Sequence, residues 1–149
     1  MQIFSENKKV YFDYEILEKF EAGLVLLGTE VKSIRGGHIA LAGSYVVLRG
    51  GEAFLIGSKV PAYQPKNAPD GYNSERQRKL LLNKKEINYL TGKSNMKGFS
   101  MVPLKIYSKD DRIKLEFGLA KGKKKFDKKE KIKKRDVDRE INRELSSRG

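Results

Sequence analysis

The residues best able to do chemistry in this chain are basic, and they occur in groups. Lys and Arg number 32 and Asp and Glu number 19, so the formal net charge is +13. Clustered cations gain affinity for phosphates by releasing counterions. The balance therefore favours a polyanionic partner, with nucleic acid as the first candidate. The clusters are Lys8-Lys9, Arg76 with Arg78 and Lys79, Lys84-Lys85, and Lys121–Lys125.

Several aromatic residues lie near these cations and are candidates for stacking on unpaired bases. Phe12, Tyr14 and Tyr45 share the alternation of strand residues, so we expect these three to be core residues. Phe126 lies in a segment with too few apolar residues to build a core. We therefore expect Phe126 to be available to a partner.

Residues for catalysis or metal binding are scarce. The chain contains no Cys and a single His, His38. This excludes disulfides, thiolate zinc sites, Cys nucleophiles and His clusters. His38 follows Gly36-Gly37, which is typical of a loop residue, and no pattern pairs the carboxylates across a cleft. We expect no enzyme, no metal site and no cofactor, since a hydrolase that uses Asp or Glu with a metal has no supporting motif.

The sequence favours a cytoplasmic protein. Its apolar runs are too short for a membrane-spanning helix, so no membrane partner is expected. The first ten residues lack the apolar core of a signal peptide. The absence of Cys suits a reducing compartment.

The charge divides the chain into two predicted parts. Residues 121–149 hold 13 basic and 6 acidic residues, a net of +7, with few apolar residues. We predict a barrel over 1–120 and a basic tail over 121–149. Val137, Ile141 and Leu145 have helical spacing, but such a helix is marginal alone in water. We expect the tail to be disordered when free and to fold on a partner; a purely solubilising tail is the alternative.

The sequence pattern of residues 1–120 predicts mainly β-strands. A period-two pattern predicts a long or bent strand pair before Gly28. Gly50-Gly51 separates two strands, and residues 109–111 separate two more, as hairpin turns do. Pro103 predicts an edge strand or a bulge, because it cannot donate to a ladder. Five or six antiparallel strands favour a small closed barrel of the OB-fold type, which often presents a face to nucleic acid.

Two helices are predicted beside the strands. The first covers residues 29–35 and ends at Gly36-Gly37. The second begins at a capping box of Ser74 and Gln77 and runs to about Leu90. Leu80, Leu81 and Leu82 cannot all face one core at helical spacing, so one faces either a partner or a second core element. Residues 58–73 form a long loop, which is either a binding loop or a simple excursion.

Sequence blocks along most of the chain resemble the SmpB (small protein B) family, the bacterial partners of transfer-messenger RNA (tmRNA, or SsrA RNA). Their order and spacing match the family, and so many blocks together are far more specific than any one. The blocks are Asn7-Lys8-Lys9 followed by Tyr14, Phe20–Gly23, Gly28–Ser33, Ser44–Val46, Gly51–Ala53, Arg78–Leu82, Pro103-Leu104 and Ala120–Lys124.

The resemblance implies an OB-fold-like barrel flanked by short helices, with a basic C-terminal tail. It implies a protein that binds the tRNA-like domain of tmRNA and delivers it to stalled ribosomes, with elongation factor Tu in the delivery complex. There the protein substitutes for the anticodon arm at the decoding centre of the small subunit. The tail enters the empty mRNA channel as a helix, and the nascent chain is tagged. A monomer is expected when the protein is free.

The resemblance also assigns roles to single residues. Glu21 is unusual for such a site, because a carboxylate repels phosphate. It fits only if it accepts hydrogen bonds from base amino groups or orders a neighbouring cation; an internal ion pair is the alternative. Asn83 offers both a donor and an acceptor. The implied RNA-binding residues are Asn7, Lys8, Glu21, Leu81, Asn83, Lys121, Gly122, Lys123 and Lys124.

Four tail residues carry the implied step of ribosomal accommodation: Phe126, Asp127, Lys128 and Lys129. Lys129 stands where the family has Arg, so the charge is kept but the planar fork is lost. Phe126 stands where His or Tyr is frequent, so it can stack but cannot hydrogen-bond. The alternative to this whole interpretation is a basic OB-fold ribosomal or general RNA-binding protein.

Overall fold

A computed structural model of the chain describes residues 1–64 and 70–123. These residues form seven strands and three helices. In chain order they are β1 (Gln2–Glu6), α1 (Val10–Asp13), β2 (Tyr14–Leu24), α2 (Gly28–Arg35), β3 (Tyr45–Arg49), β4 (Glu52–Ile56), β5 (Arg78–Leu81), α3 (Lys84–Ser94), β6 (Phe99–Lys109) and β7 (Arg112–Gly122).

The strands form one antiparallel sheet that closes on itself, which confirms the predicted OB-like fold. The strand order is β1-β6-β3-β4-β5-β2-β7, and β6 also pairs with β7. The ring is not a uniform barrel. β3 meets β6 through one residue pair, Val46 with Met101, and β2 meets β5 through two. β1 lies outside the ring, on the edge of β6.

Both predicted hairpins are present. Gly50 and Gly51 have φ of 58° and 76° between β3 and β4, as a type I′ turn requires. Asp110 and Asp111 adopt φ of 53° and 61° between β6 and β7. Pro103 lies at a bulge of β6, as its missing N–H predicted.

The segment before α2 is one strand rather than a strand pair. β2 bulges between Ile16 and Glu18 and pairs with β7 along most of its length. Because of the bulge, Ile16 packs on the smaller cluster beneath α1, whereas Phe20 packs against the main core. At this point a Cβ on Gly118 would lie 2.8 Å from the Ile16 side chain, so glycine permits the close approach of the two strands.

The predicted second helix is wrong in its first half. Residues 78–81 form β5, which pairs with β4 and β2, and α3 begins only at Lys84. The first helix is confirmed as α2, which ends at Gly36, followed by Gly37 with φ of 81°. The main core fills the ring with aliphatic residues and Phe117, and a smaller cluster packs beneath α1 around Val10 and Leu104.

Candidate nucleic-acid interface

The predicted RNA-binding residues separate onto two ends of the β2–β7 ladder. Tyr14 pairs with Gly122 at one end and Gly23 with Lys114 at the other. At about 3.3 Å per residue the two ends are roughly 30 Å apart. We call the first the tail-side surface, which holds Asn7, Lys8, Lys121, Gly122 and Lys123. We call the second the Leu81 surface, which holds Glu21, Leu81 and Asn83.

Leu81 is exposed because β5 alternates. Arg78 and Leu80 are buried, whereas the Leu81 side chain is 54 % exposed. Leu81 pairs with Gly23 of β2, where an added Cβ would lie 3.4 Å from the Leu81 Cβ. A side chain at Gly23 would therefore touch Leu81 at ordinary van der Waals distance on the outer face of the sheet. The exposure of Leu81 agrees with the prediction that one of the three leucines faces outward, although strand alternation is the reason and helical rotation is not.

Glu21 is held in place by two neighbours on β6. Its carboxylate accepts a hydrogen bond from the Tyr107 hydroxyl and lies 3.5 Å from the Lys109 Nζ. The Tyr107 hydrogen bond and the Lys109 charge outweigh the effect of burial and lower the pKa of Glu21. Burial and the Glu21 carboxylate raise the pKa of Tyr107, which keeps the phenol protonated as a donor. Glu21 thus forms the predicted internal ion pair and also orders a cation; its contact with RNA stays a prediction.

Asn83 caps α3. Its Oδ1 accepts from the Glu86 N–H at 2.8 Å, and Glu86 Oε1 accepts from the Asn83 N–H at 3.3 Å. The capping box therefore belongs to Asn83 and Glu86, not to Ser74 and Gln77. Because the amide oxygen serves the helix, the amide NH₂ is the group of Asn83 that can donate to a ligand.

Asn7 has an internal role on the tail-side surface. Its Nδ2 donates to the Pro103 carbonyl at 3.1 Å, and its backbone N–H donates to the Leu104 carbonyl at 2.8 Å. These bonds attach the β1–α1 connection to the bulge of β6. Lys8 is exposed next to it. Asn7 therefore positions Lys8, and any RNA contact of its own remains a prediction.

The chain leaves β7 beside α1. The Lys123 backbone N–H donates to the Asp13 carbonyl at 3.0 Å, and its Nζ donates to the Tyr11 carbonyl at 3.1 Å. Lys121 and Gly122 are exposed at the end of β7. The predicted residues Lys124, Phe126, Asp127, Lys128 and Lys129 lie outside the described residues.

Two aromatic residues predicted to be core residues are at the surface. Phe12 is 43 % exposed, because it lies in α1 rather than in a strand, and Tyr45 is 48 % exposed. Tyr14 is partly buried against the cluster beneath α1. Tyr11 is also 43 % exposed, with the Lys19 Nζ 5.9 Å from its ring centroid. The tail-side surface thus combines exposed rings with cations.

One of the basic clusters found in the sequence belongs to the interior. Arg78 is completely buried and lies 2.7 Å from the buried carboxylate of Glu30. Arg76 also pairs with Glu30. Arg78 donates further to the Ser58 and Ser74 carbonyls, and the Tyr72 hydroxyl donates to Glu30 at 3.2 Å. The expectation that this cluster binds phosphate is wrong for Arg78, which is completely buried against Glu30. Arg76 is 30 % exposed and also paired with Glu30, and Lys79 is exposed and paired with Glu52.

The ionisation of Glu30 reflects opposing effects. Burial acts to raise the pKa of the Glu30 carboxyl, but hydrogen bonds from Arg76, the Leu27 N–H and Arg78 outweigh burial and lower it. The Leu27 N–H lies 2.8 Å from Oε1, so Glu30 also stabilises the start of α2. The Glu30 cluster was not predicted from the sequence. The signal for it was the shared parity of Arg76, Arg78 and Leu80, which indicates that the two arginines lie on the same side of the chain as a buried leucine.

Residues 1–64 and 70–123 hold neither a candidate metal site nor a membrane-spanning helix. In these ranges no three His, Asp or Glu side chains are grouped so that they would hold a metal ion. No helix in them is long and apolar enough to cross a lipid bilayer.

Comparisons with known proteins give one consistent result. The model of the family "SmpB protein" matches residues 4–147. The SsrA-binding protein of Pelobacter propionicus is 48 % identical over 147 residues, which cover 99 % of this chain and 96 % of the relative. That of Thermosynechococcus vestitus is 45 % identical over 148 residues, covering 99 % and 97 %. A solved chain described as "tmRNA-SmpB: a journey to the center of the bacterial ribosome" has a TM-score of 0.68 at 42 % identity, covering 86 % of this chain and 93 % of that one.

Proposed function

Because the chain belongs to the SmpB family, we propose that it binds the tRNA-like domain of tmRNA and brings it to stalled ribosomes in trans-translation. The observation that carries the proposal is the family match over residues 4–147, joined to a barrel with an exposed apolar and charged patch around Leu81. The function is RNA binding and ribosome rescue, without catalysis by this chain.

We assign the two surfaces to two tasks. The Leu81 surface combines a fixed carboxylate, an exposed leucine and an amide donor, which suit recognition of particular base edges and unpaired nucleotides. The tail-side surface combines Lys8, Lys121 and Lys123 with the exposed rings of Tyr11 and Phe12. Cations and rings suit sequence-independent contact with RNA, as the ribosomal decoding centre requires.

The second part of the chain, 121–149, completes the proposal. Its net charge of +7, from 13 basic and 6 acidic residues, suits insertion into a channel lined by phosphates. β7 ends at Gly122 on the tail-side surface, so the tail starts next to that surface. We propose that it enters the empty mRNA channel and folds there as a helix. We further propose delivery with elongation factor Tu, a monomeric free state and a cytoplasmic location, and the family membership supports these proposals.

A tagging assay with purified ribosomes stalled on a message without a stop codon tests the proposal. The full chain with tmRNA should add the tag to the nascent chain. A variant with Asp127→Ala, Lys128→Ala and Lys129→Ala should bind tmRNA as tightly as the unchanged chain but fail to support tagging. Tagging that proceeds without the protein, or at an unchanged rate with the variant, would refute the corresponding part of the proposal.

A further inference from the structure

A groove lies beside Leu81, and its other lining residues are not among the predicted RNA-binding residues. It has a volume of about 480 Å³ between the ends of β2 and β5, the helix α2 and the β6–β7 turn. This volume falls in the range of about 300–1,000 Å³ that is usual for small-ligand sites. Its floor is aliphatic, formed by Leu24, Leu26, Val31 and Ile113, and Leu81 forms a wall.

The rim of the groove is cationic. It carries Arg35, Arg112 and Lys114 against a single carboxylate, Asp111. The Arg35 Nη2 donates to the Asp111 backbone carbonyl at 3.1 Å, which fixes this guanidinium at the groove. Within the described residues none of the three cations forms a salt bridge. Lys114 also acts through its charge on the Glu21 carboxylate, but in this part of the chain none of the three cations is held in a salt bridge as Arg76 and Arg78 are, so they can still meet a phosphate.

We infer that this groove receives one unpaired nucleotide of the bound RNA, with its base against the aliphatic floor and its phosphates against Arg35, Arg112 and Lys114. The inference rests on the proposed function and specifies how the Leu81 surface recognises its RNA. An aliphatic floor excludes water from the faces of a base, and a cationic rim neutralises the phosphates on either side. An unpaired base can enter such a site without breaking a base pair, whereas a paired base would first have to be flipped out of its helix at an energetic cost.

The charge of the rim favours RNA over a protein helix as the occupant. A helix that docked its apolar face here would meet three cations and one anion, so it would need an acidic flank to pair with them. A phosphodiester backbone supplies negative charge at each nucleotide without any sequence requirement. The groove also adjoins the Leu81 surface. Leu81 lines the groove itself, and Lys114 pairs in register with Gly23, which in turn pairs with Leu81.

The test uses the full chain with Arg35→Gln, Arg112→Gln and Lys114→Gln combined. Binding of the tRNA-like domain is measured over a series of salt concentrations. We expect affinity to fall at least about tenfold at physiological salt. The slope of log affinity against log salt should decrease by about two to three, since each of the three lost phosphate contacts removes about 0.7 to 0.9.

Lys59→Gln is the matched control, because it removes one exposed cation outside the groove. It should change the slope little. Arg112→Gln and Lys114→Gln are also made singly, since neither side chain forms a hydrogen bond within residues 1–64 and 70–123, and each should lower the slope by about one. A slope for the triple variant equal to that of Lys59→Gln would overturn the inference and assign the groove to a protein partner.

Chemical modification of bases in the bound RNA tests the nucleotide itself. One unpaired base should be protected in the complex with the unchanged chain and with Lys59→Gln, and should lose protection with Leu81→Ser. Absence of any protected unpaired base would also overturn the inference. If the unchanged chain does not prefer the tRNA-like domain to elongator tRNA, the proposed function fails as well; if the preference is present and the slopes are unchanged, only the groove is refuted.

Discussion

Glu30 and Glu21 each combine a carboxylate with a cation and a tyrosine, yet they lie in opposite surroundings. Glu30 is completely buried with Arg78, whereas the Glu21 side chain is 37 % exposed beside Lys109 at 54 %. The pKa of both carboxyls is lowered, so both are ionised at neutral pH. The buried cluster joins α2, β5 and the loop between β4 and β5, while the exposed cluster faces solvent on the Leu81 surface. Burial therefore commits the Glu30 cluster to the architecture of the fold, whereas exposure leaves the Glu21 cluster able to take the RNA-recognition role that we propose for it.

The largest difference between the two regions should appear on removing the buried charge. Glu30→Gln leaves Arg78 in the interior without a counter-charge, and we expect a loss of about 3–5 kcal/mol in the free energy of unfolding. Urea denaturation of the full chain measures it. Lys59→Gln, at an exposed salt bridge, is the control and should change stability by less than about 1 kcal/mol. A loss of that small size for Glu30→Gln would mean that the cluster does not hold the fold together.

Low pH should weaken the stabilisation that the Glu30 cluster provides, without any mutation. The folded pKa of Glu30 lies below its ordinary value of 4.5, so its contribution to stability is complete above that pH. The contribution is lost as the pH falls through the lower folded value, because the unfolded chain then binds more protons. The stability difference between the unchanged chain and Glu30→Gln should stay constant near neutrality and shrink below about pH 4.5. A difference that does not shrink in acid would assign the effect of the mutation to packing alone.

Glu21→Gln should lower RNA affinity and leave stability nearly unchanged, the reverse of what we expect for Glu30→Gln. Because the carboxylate is exposed, stability should change by less than about 1 kcal/mol. The affinity for the tRNA-like domain should fall roughly tenfold, as for loss of one charge-assisted hydrogen bond. The affinity for elongator tRNA should stay the same. Equal losses for both RNAs would show that Glu21 acts through the general charge of the surface.

The smallest expected effect separates the two roles of Asn83. Asn83→Ala removes the cap of α3 and should cost about 1 kcal/mol of stability. Asn83→Asp keeps an acceptor for the Glu86 N–H, so stability should be retained, but it loses the amide donor and adds a negative charge. RNA affinity should fall with both variants. Full affinity with Asn83→Asp would limit Asn83 to helix capping.

The fold could be predicted from sequence where the local pattern and the final pairing agree. Gly50-Gly51, Pro103 and the apolar alternation of β7 each require the structure in which they are found. β5 could not be predicted this way, because Ser74, Gln77 and three successive leucines imitate a helix start. Its conformation is decided by Leu80 and Leu81 pairing with strands far away in the sequence.

The candidate site divides in the same manner. The excess of cations predicts an RNA partner, but composition alone cannot tell whether Arg78 or Arg112 is free to bind phosphate. Only the tertiary structure buries Arg78 against Glu30 and leaves Arg112 at a groove. Leu81 and Glu21 were identified through family resemblance, since a leucine and a carboxylate carry no signal of RNA binding by themselves.

A competition assay at physiological salt tests most directly whether the barrel recognises a particular RNA. The full chain is bound to labelled tRNA-like domain of tmRNA, and unlabelled elongator tRNA is added. We predict that elongator tRNA displaces the labelled RNA only in large excess, because Glu21, Leu81 and Asn83 contact features of the tRNA-like domain that elongator tRNA lacks. Equal competition by the two RNAs would contradict the account, since the net charge of +13 would then explain binding and the general RNA-binding alternative would replace it.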